Sequence, residues 1–172
     1  MEGSQDDRYR EVAAAYGAAL ERLAGAYEAD PDHRRDLLQE IHLALWRSFA
    51  GWDVRCSLRT WTYRVAHNAA TSWVMRQRRT NSRELVGLDE LENLPDTTVP
   101  DAGHQQALGR LLALVQGLKP LDRQVILSYL EGMDAAEIGE ITGLSPGNVA
   151  TKIHRIKNLL TERFHQGGQH AK

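Results

Sequence analysis

The chain has 172 residues, 42% of them hydrophobic, and a formal net charge of -2. That length suits one large or two small domains, and the apolar content supports a packed core. No run approaches the roughly 18 apolar residues of a membrane span, residues 1–7 are too acidic for a signal peptide, the single cysteine, Cys56, excludes an internal disulfide, and no Cys/His cluster has zinc spacing.

These features predict a soluble cytoplasmic protein without a cofactor. A near-zero net charge argues against a simple nucleic-acid binder, but the average hides segregation. Residues 51–80 carry net +5 and residues 145–172 net +4, whereas 1–50, 81–105 and 106–144 carry -4, -5 and -2. The two basic islands are candidate phosphate-contact surfaces. The alternative is that they are ordinary solvated faces.

In chain order, residues 9–29 predict a first helix with Val12, Tyr16, Ala19, Leu20, Leu23 and Tyr27 on its apolar stripe. Pro31 ends it and Asp32 caps the next. Residues 33–49 predict a second helix with Leu37, Leu38, Ile41, Leu45 and Phe49 inward. Its outer face carries Asp36, Gln39, Glu40, Leu43 and Arg47. Acidic and amide groups around an exposed leucine fit a protein-docking face, and periodicity alone fits a plain solvated face equally well.

Gly51, Trp52 and Asp53 form a break, and Ser57 is a cap for a third helix over residues 58–79. Leu58, Trp61, Val65, Ala69 and Ser72 or Trp73 are expected in the core. Arg59, Thr60, Tyr63, Arg64, His67, Thr71 and Arg78 are expected outside. Arginines interleaved with aromatics suit an unpaired or melted nucleic-acid strand, because guanidinium groups hold phosphates and aromatic faces accept unstacked bases. Trp61 reads as core, Trp52 as exposed and His67 as a surface residue.

Between residues 80 and 104 periodicity fades, and Pro95, Pro100 and a run of acidic residues read as a linker with one short helical turn around residues 88–91. A second domain begins near Gln106. Leu108, Leu111, Leu112, Val115 and Leu118 make an amphipathic helix closed by Lys119 and Pro120. Residues 121–131 make the next, with Val125, Ile126, Tyr129 and Leu130 packing and Gly132 ending it.

The stretch 134–164 then reads as a short helix, a tight turn and a longer helix. Ala135, Ile138 and Ile141 share one face, Gly143 sits where a C-cap wants a left-handed residue, and Ser145 and Pro146 have the chemistry of an N-cap and a first helical position. Val149, Ile153, Ile156 and Leu160 form the buried stripe of the second helix. Asn148, Thr151, His154 and Arg155, flanked by Lys152, lie opposite. This is either a helix-turn-helix whose second helix faces a DNA groove or an ordinary helical hairpin. Residues 165–172 read as a frayed tail.

The ordered set resembles a bacterial extracytoplasmic-function sigma factor of the sigma-70 family, which keeps only region 2 and region 4. DLLQEIHLALWRSF, from Asp36, is similar to the family's helix that binds the clamp helices of RNA polymerase. SLRTWTYRVAHNAATSWVMRQRR, from Ser57, resembles its helix that reads and melts the minus-ten element. LDRQVILSYLEGMDAAEIGEITGLSPGNVATKIHRIKNLL, from Leu121, resembles region 4, which reads the minus-thirty-five element. The chain departs from the family at Thr62, His67, Ser72 and Met75, where Leu, Arg, Asp and Arg are common, and at Asn148 and Ala150, where a Thr and a basic residue are common. These departures bear on promoter sequence and on melting.

The resemblance implies an all-α fold of two small helical domains joined by a flexible acidic linker, the second domain a helix-turn-helix. Region 2 would span residues 1–80, the linker 81–105, region 4 106–165 and a tail 166–172. Asp36, Gln39, Glu40, Leu43 and Arg47 would bind polymerase. Trp52, Arg55, Ser57, Arg59, Thr60, Tyr63, Arg64, His67, Asn68, Thr71, Arg76, Arg78 and Arg79 would serve the minus-ten element. Ser145, Asn148, Thr151, Lys152, His154 and Arg155 would serve the minus-thirty-five element. Implied partners are core RNA polymerase, through its beta-prime clamp helices and beta flap, promoter DNA and an anti-sigma factor, with no membrane insertion. Such a protein makes no bond itself and is not an enzyme. The rival readings are a helix-turn-helix regulator that acts without polymerase and a sigma-like adaptor that does not melt DNA.

Overall fold

A computed structural model describes residues 4–81 and 103–169. Helix α1, Gln5–Tyr27, starts a turn earlier than periodicity predicts. The reason is a capping box: Ser4 Oγ accepts from the Asp7 amide at 3.3 Å, and Asp7 Oδ2 accepts from the Ser4 amide at 3.2 Å. Helix α2, Pro31–Ser48, is capped by Asp30 and not by Asp32. Asp30 Oδ1 takes the amides of Asp32 and His33 at 2.9 and 3.0 Å. Pro31 therefore opens α2, where its missing N–H costs nothing. A 3-10 turn, Phe49–Gly51, leads through residues 52–57 to α3, Leu58–Asn81. Ser57 caps α3 as expected, its Oγ accepting from the Thr60 amide at 3.0 Å.

Four further helices follow: α4 Gly103–Gln116, α5 Pro120–Leu130, α6 Ala135–Thr142 and α7 Pro146–Gln169. The expected linker turn at residues 88–91 lies outside the described residues. The frayed tail expected from residue 165 is a correction, because α7 continues to Gln169. All regular structure among the described residues is helical.

Helices α1 to α3 bury Val12, Leu20, Leu23, Leu37, Ile41, Leu45, Ala66 and Ala70, joined by Phe49 of the 3-10 turn. Helices α4 to α7 bury Val115, Val125, Ile126, Ile138, Ile141, Val149 and Ile156, joined by Leu118 and Met133 of the connections between them. Tyr129 and Leu130, expected to pack, are exposed, Leu130 by 61%. The inward positions of α5 are taken by Arg123 and Ser128 instead. The reason is that α5 packs on α6 and α7 and also touches α3, and α6 packs on α3 too, so the two units meet along a seam.

The helix-turn-helix forms as predicted. Gly143 holds φ 79°, a left-handed conformation that suits glycine, and its amide bonds to the Gly139 carbonyl at 2.8 Å.

Candidate nucleic-acid interface and docking face

On α2, Asp36, Gln39 and Arg47 are exposed, Leu43 is 45% exposed, and Glu40 is half-buried and paired with Arg76 of α3. Trp46 lies one turn beyond Leu43 on the same face. It donates Nε1 to Asp6 Oδ1 at 2.8 Å, while Gln5 Nε2 donates to the Trp46 carbonyl at 2.6 Å. The start of α1 thus pins one edge of an apolar strip ringed by polar side chains. That pattern is the one a protein partner's hot spot needs.

The break before α3 is more ordered than its sequence suggests. Trp52, expected exposed, is half-buried. Its ring stands edge-on to Phe49 at 6.3 Å, and the Arg8 guanidinium lies 5.2 Å from its centroid. Trp61, expected in the core, is half-buried and donates Nε1 to Ser48 Oγ at 2.9 Å. Val54 is exposed with φ 63°, a strained state for a β-branched residue. Arg55 pairs with Asp53 at 2.5 Å. A cleft lined by Gly51, Arg55, Cys56, Trp61 and Arg64 opens here, with Glu140 of α6 on its far wall.

Helix α3 corrects the expected outward face. Thr60, Tyr63 and His67 are only 2%, 3% and 0% exposed. The first half of α3 is sandwiched between α1 and α2 on one side and α5 and α6 on the other. Residues read as solvent-facing therefore meet the C-terminal unit. Arg22 of α1 grips Glu131 with a two-pronged pair, Nε to Oε1 and Nη2 to Oε2, both 2.9 Å. The Tyr63 hydroxyl donates to Glu131 Oε2 at 3.4 Å. Arg59 donates to the Glu131 carbonyl at 2.7 Å and to Glu137 Oε1 at 3.4 Å. Thr60 Oγ1 donates to Glu140 Oε2 at 3.3 Å, and Arg64 Nη2 to the Glu140 carbonyl at 2.5 Å. The Arg22 hydrogen bonds hold the Glu131 carboxyl below its usual range.

Deeper in the seam, His67 Nδ1 meets the Tyr27 hydroxyl at 2.9 Å and Nε2 meets Ser128 Oγ at 3.4 Å. Burial pushes His67 down to about 3 and Tyr27 up to about 12. The Arg123 guanidinium lies 4.9 Å from the Tyr27 ring centroid and donates to the carbonyls of Gln116 and Leu118. Of the other sequence-predicted residues on this unit, Ser57, Asn68, Arg76 and Arg79 are exposed, and Thr71 and Arg78 are half-buried.

A pH dependence follows from His67. Its folded pKa lies well below the unfolded value near 6.5, so the ring imposes no proton-linked cost above pH 6.5. Below that, the unfolded chain gains a proton the native ring refuses, and stability falls. At pH 5.5 the loss is about 1.4 kcal/mol. The surrounding titratable groups, Tyr27, Tyr63 and Arg123, keep their charge states over that window. Glu131, whose depressed pKa contributes stability that is full above its unfolded value, adds a loss in the same direction as pH falls below about 4.5 toward its folded pKa. Thermal unfolding should show a lower midpoint at pH 5.5 than at 7.5, and His67→Gln should reduce that drop, while His42, also pushed down by burial, keeps a smaller contribution of the same sign.

In the helix-turn-helix, Ser145 Oγ accepts from the Asn148 amide at 3.3 Å, so its oxygen is occupied as a cap. Asn148, Thr151, His154 and Arg155 are exposed on α7. Lys152 is drawn instead toward α5, its Nζ 2.6 Å from Asp122 Oδ1. Arg155 reaches the same carboxylate at 3.6 Å and stays 67% exposed. Asp122 therefore orients both cations, and Arg155 is the one left presented outward. Arg22, Asp122, Glu131, Glu137 and Glu140 escaped the sequence reading because a single charge on a helix face carries no periodic signal.

Residues 12–80 match the family model for Sigma-70 region 2, from within α1 to the last turn of α3, and residues 108–160 match that for Sigma-70, region 4. The chain is 30% identical over 164 residues to the ECF RNA polymerase sigma factor SigF of Caulobacter vibrioides, covering 91% of this chain and 85% of that one. It is 34% identical over 153 residues to the RNA polymerase sigma-E factor of Streptomyces avermitilis, covering 85% and 79%. Among solved structures, the fold is similar to CnrH in complex with the cytosolic domain of CnrY, with a TM-score of 0.68 at 20% identity over 95% of this chain and 91% of that one. It is equally similar to the sigma factor RpoE in complex with the anti-sigma factor NepR from Bartonella quintana, with a TM-score of 0.68 at 19% identity over 91% and 95%. With both regions present in order, at this identity and over this much of its length, the chain belongs to the extracytoplasmic-function group of sigma-70 RNA polymerase sigma factors.

Proposed function

We propose that this chain docks on core RNA polymerase through α2 and directs promoter-specific initiation by placing two DNA-reading surfaces along a promoter. The observation that carries this reading is the presence on one chain of region 2, region 4 and an exposed Leu43–Trp46 strip framed by Asp36, Gln39 and Arg47. Residues 1–80 act as the docking and minus-ten unit, 106–165 as the minus-thirty-five unit and 81–105 as the connection between them.

In the minus-ten unit, the break at residues 51–57 and the adjoining cleft receive an unstacked base, while Arg55, Arg76, Arg78 and Arg79 hold the backbone. Unstacking costs a few kcal/mol per base, which stacking and a fitted pocket offset. The departures from the family pattern on α3 divide in two. Thr62 and His67 are buried, Thr62 Oγ1 donating to the Leu58 carbonyl at 2.7 Å, and they shape the packing of α3. Ser72 and Met75 are exposed and bear on what the surface of α3 meets. CnrH and RpoE were solved with CnrY and NepR respectively, and an anti-sigma partner covering the docking face of α2 is the corresponding expectation here.

In the minus-thirty-five unit, Asn148, Thr151, His154 and Arg155 enter the major groove, with phosphate near the start of α7. Arg155→Ala should weaken binding to a minus-thirty-five duplex by about 1–3 kcal/mol and relax preference at one base pair if Arg155 forks onto a base. Titration of duplex variants by fluorescence anisotropy reads both effects. A lower salt slope with unchanged sequence preference would make Arg155 a phosphate contact instead.

A further inference from the structure

We propose that Arg22, Arg59 and Tyr63 form a phosphodiester-binding site on the N-terminal unit, and that Glu131 of the C-terminal unit occupies it as an internal stand-in for DNA phosphate. The proposal rests on the reading of this chain as a promoter binder and adds a residue, Arg22, and a competitor, Glu131, to it.

Arg22 meets the two oxygens of Glu131 at equal distances of 2.9 Å through Nε and Nη2. This parallel fork is the geometry by which a guanidinium holds either a carboxylate or a phosphate. Tyr63 supplies a hydroxyl to the same carboxylate, and Arg59 reaches the adjoining carbonyl. The donors all lie on α1 and α3, and the acceptor lies at the end of α5. The second ion pair across the seam, Arg59 to Glu137 at 3.4 Å, runs in the same direction. Glu140 extends the acidic face over the cleft beside Arg64. One unit presents guanidinium groups across the seam, and the other presents carboxylates and carbonyls to them.

The seam also has the composition of a contact that opens. Arg123 is 2% exposed, bonds only to carbonyls and a ring face among the described residues, and leaves its Nε unmet. His67, which meets the hydroxyl of the same Tyr27 that Arg123 lies over, is held neutral by burial. Buried groups of this kind are poorly suited to a permanent core and regain hydration when the units separate. Because Glu131 fills the site, the closed chain and a chain holding DNA at Arg22 and Arg59 are mutually exclusive. DNA capture at Arg22 and Arg59 draws on the open form, whereas the docking strip of α2 is exposed in the closed one.

The test uses the full chain, a short fluorescein-labelled single-stranded DNA read by anisotropy at fixed low salt, and a fluorophore pair reporting the distance between the two units. Glu131→Gln, nearly isosteric at a partly exposed position, should raise DNA affinity about tenfold and lengthen the distance. Arg22→Ala in the Glu131→Gln background should remove the gain. The exchanged pair, Arg22→Glu with Glu131→Arg, should restore the short distance without any gain in affinity, which also controls for a folding defect in the single variant. Wild-type affinity and distance in Glu131→Gln would overturn the proposal, as would a gain that survives Arg22→Ala. The promoter reading is scored separately, by initiation with core polymerase. Normal initiation without the Glu131→Gln gain sinks this proposal alone, and the gain without initiation sinks the promoter reading while the site stands.

Discussion

Gly139→Val abolishes specific binding to a minus-thirty-five duplex while leaving the N-terminal unit folded. A Cβ built at Gly139 lies 2.6 Å from the Leu144 carbonyl oxygen and 3.9 Å from the Pro146 nitrogen. Both neighbours are backbone atoms of the turn between α6 and α7, so no side chain can swing aside. The Gly139 carbonyl also accepts the Gly143 amide at 2.8 Å, the bond that closes α6. Any movement that relieves the clash shifts the start of α7, and with it Asn148, Thr151 and Arg155. Overpacking of this kind costs about 1–3 kcal/mol or more, a large share of what a small helical unit has to spare. The measurement is duplex binding by anisotropy beside thermal unfolding followed by circular dichroism. Gly147→Ala is the control: its Cβ would meet nothing within 4 Å, and binding should stay near wild type.

Leu43→Arg reduces affinity for core RNA polymerase on the order of 100-fold, as expected for a central apolar contact of a hot spot. Leu43 is 45% exposed yet sits between Glu40, which is tied to Arg76, and Trp46, which is tied to Asp6. Those two bonds fix the strip before any partner arrives, so little ordering cost remains on binding. A charged side chain there would be buried without a partner on docking. Because Leu43 lies outside the core of its own unit, thermal stability and duplex binding by the free chain should be unchanged. Pull-down and titration against purified core polymerase read the loss, and equal affinity for the two proteins would remove α2 as the docking face.

The sequence made some parts of this molecule legible and hid others, and the division is physical. Caps and turns are local: Ser57, Gly143, Ser145 and Pro146 take the roles that their chemistry and position predict. The apolar stripes of α1, α2 and α7 are readable because their buried positions are apolar. Helix α3 is not, since it also buries Thr60, Thr62 and His67, and a single period cannot separate a polar face toward solvent from a polar face toward a seam. The local pattern therefore places Thr60, Tyr63 and His67 outside, because the partners that bury them lie 80, 68 and 61 positions away in Glu140, Glu131 and Ser128. The Arg22–Glu131 pair spans 109 positions and left no local trace. Tyr129 and Leu130 were misplaced for the related reason that the seam draws Arg123 and Ser128 inward on α5. Among the DNA-facing residues of α7, the pattern located the exposed face but not the hold that Asp122 keeps on Lys152.

The most direct test of the account is promoter-dependent transcription by core RNA polymerase with and without this chain, with transcript starts mapped across a genomic library of promoters. Discrete starts should appear only when the chain is added, at a fixed distance from paired upstream elements, and vanish with Leu43→Arg. Starts that are the same with and without the chain, or no promoter gaining initiation while core binding is intact, would contradict it.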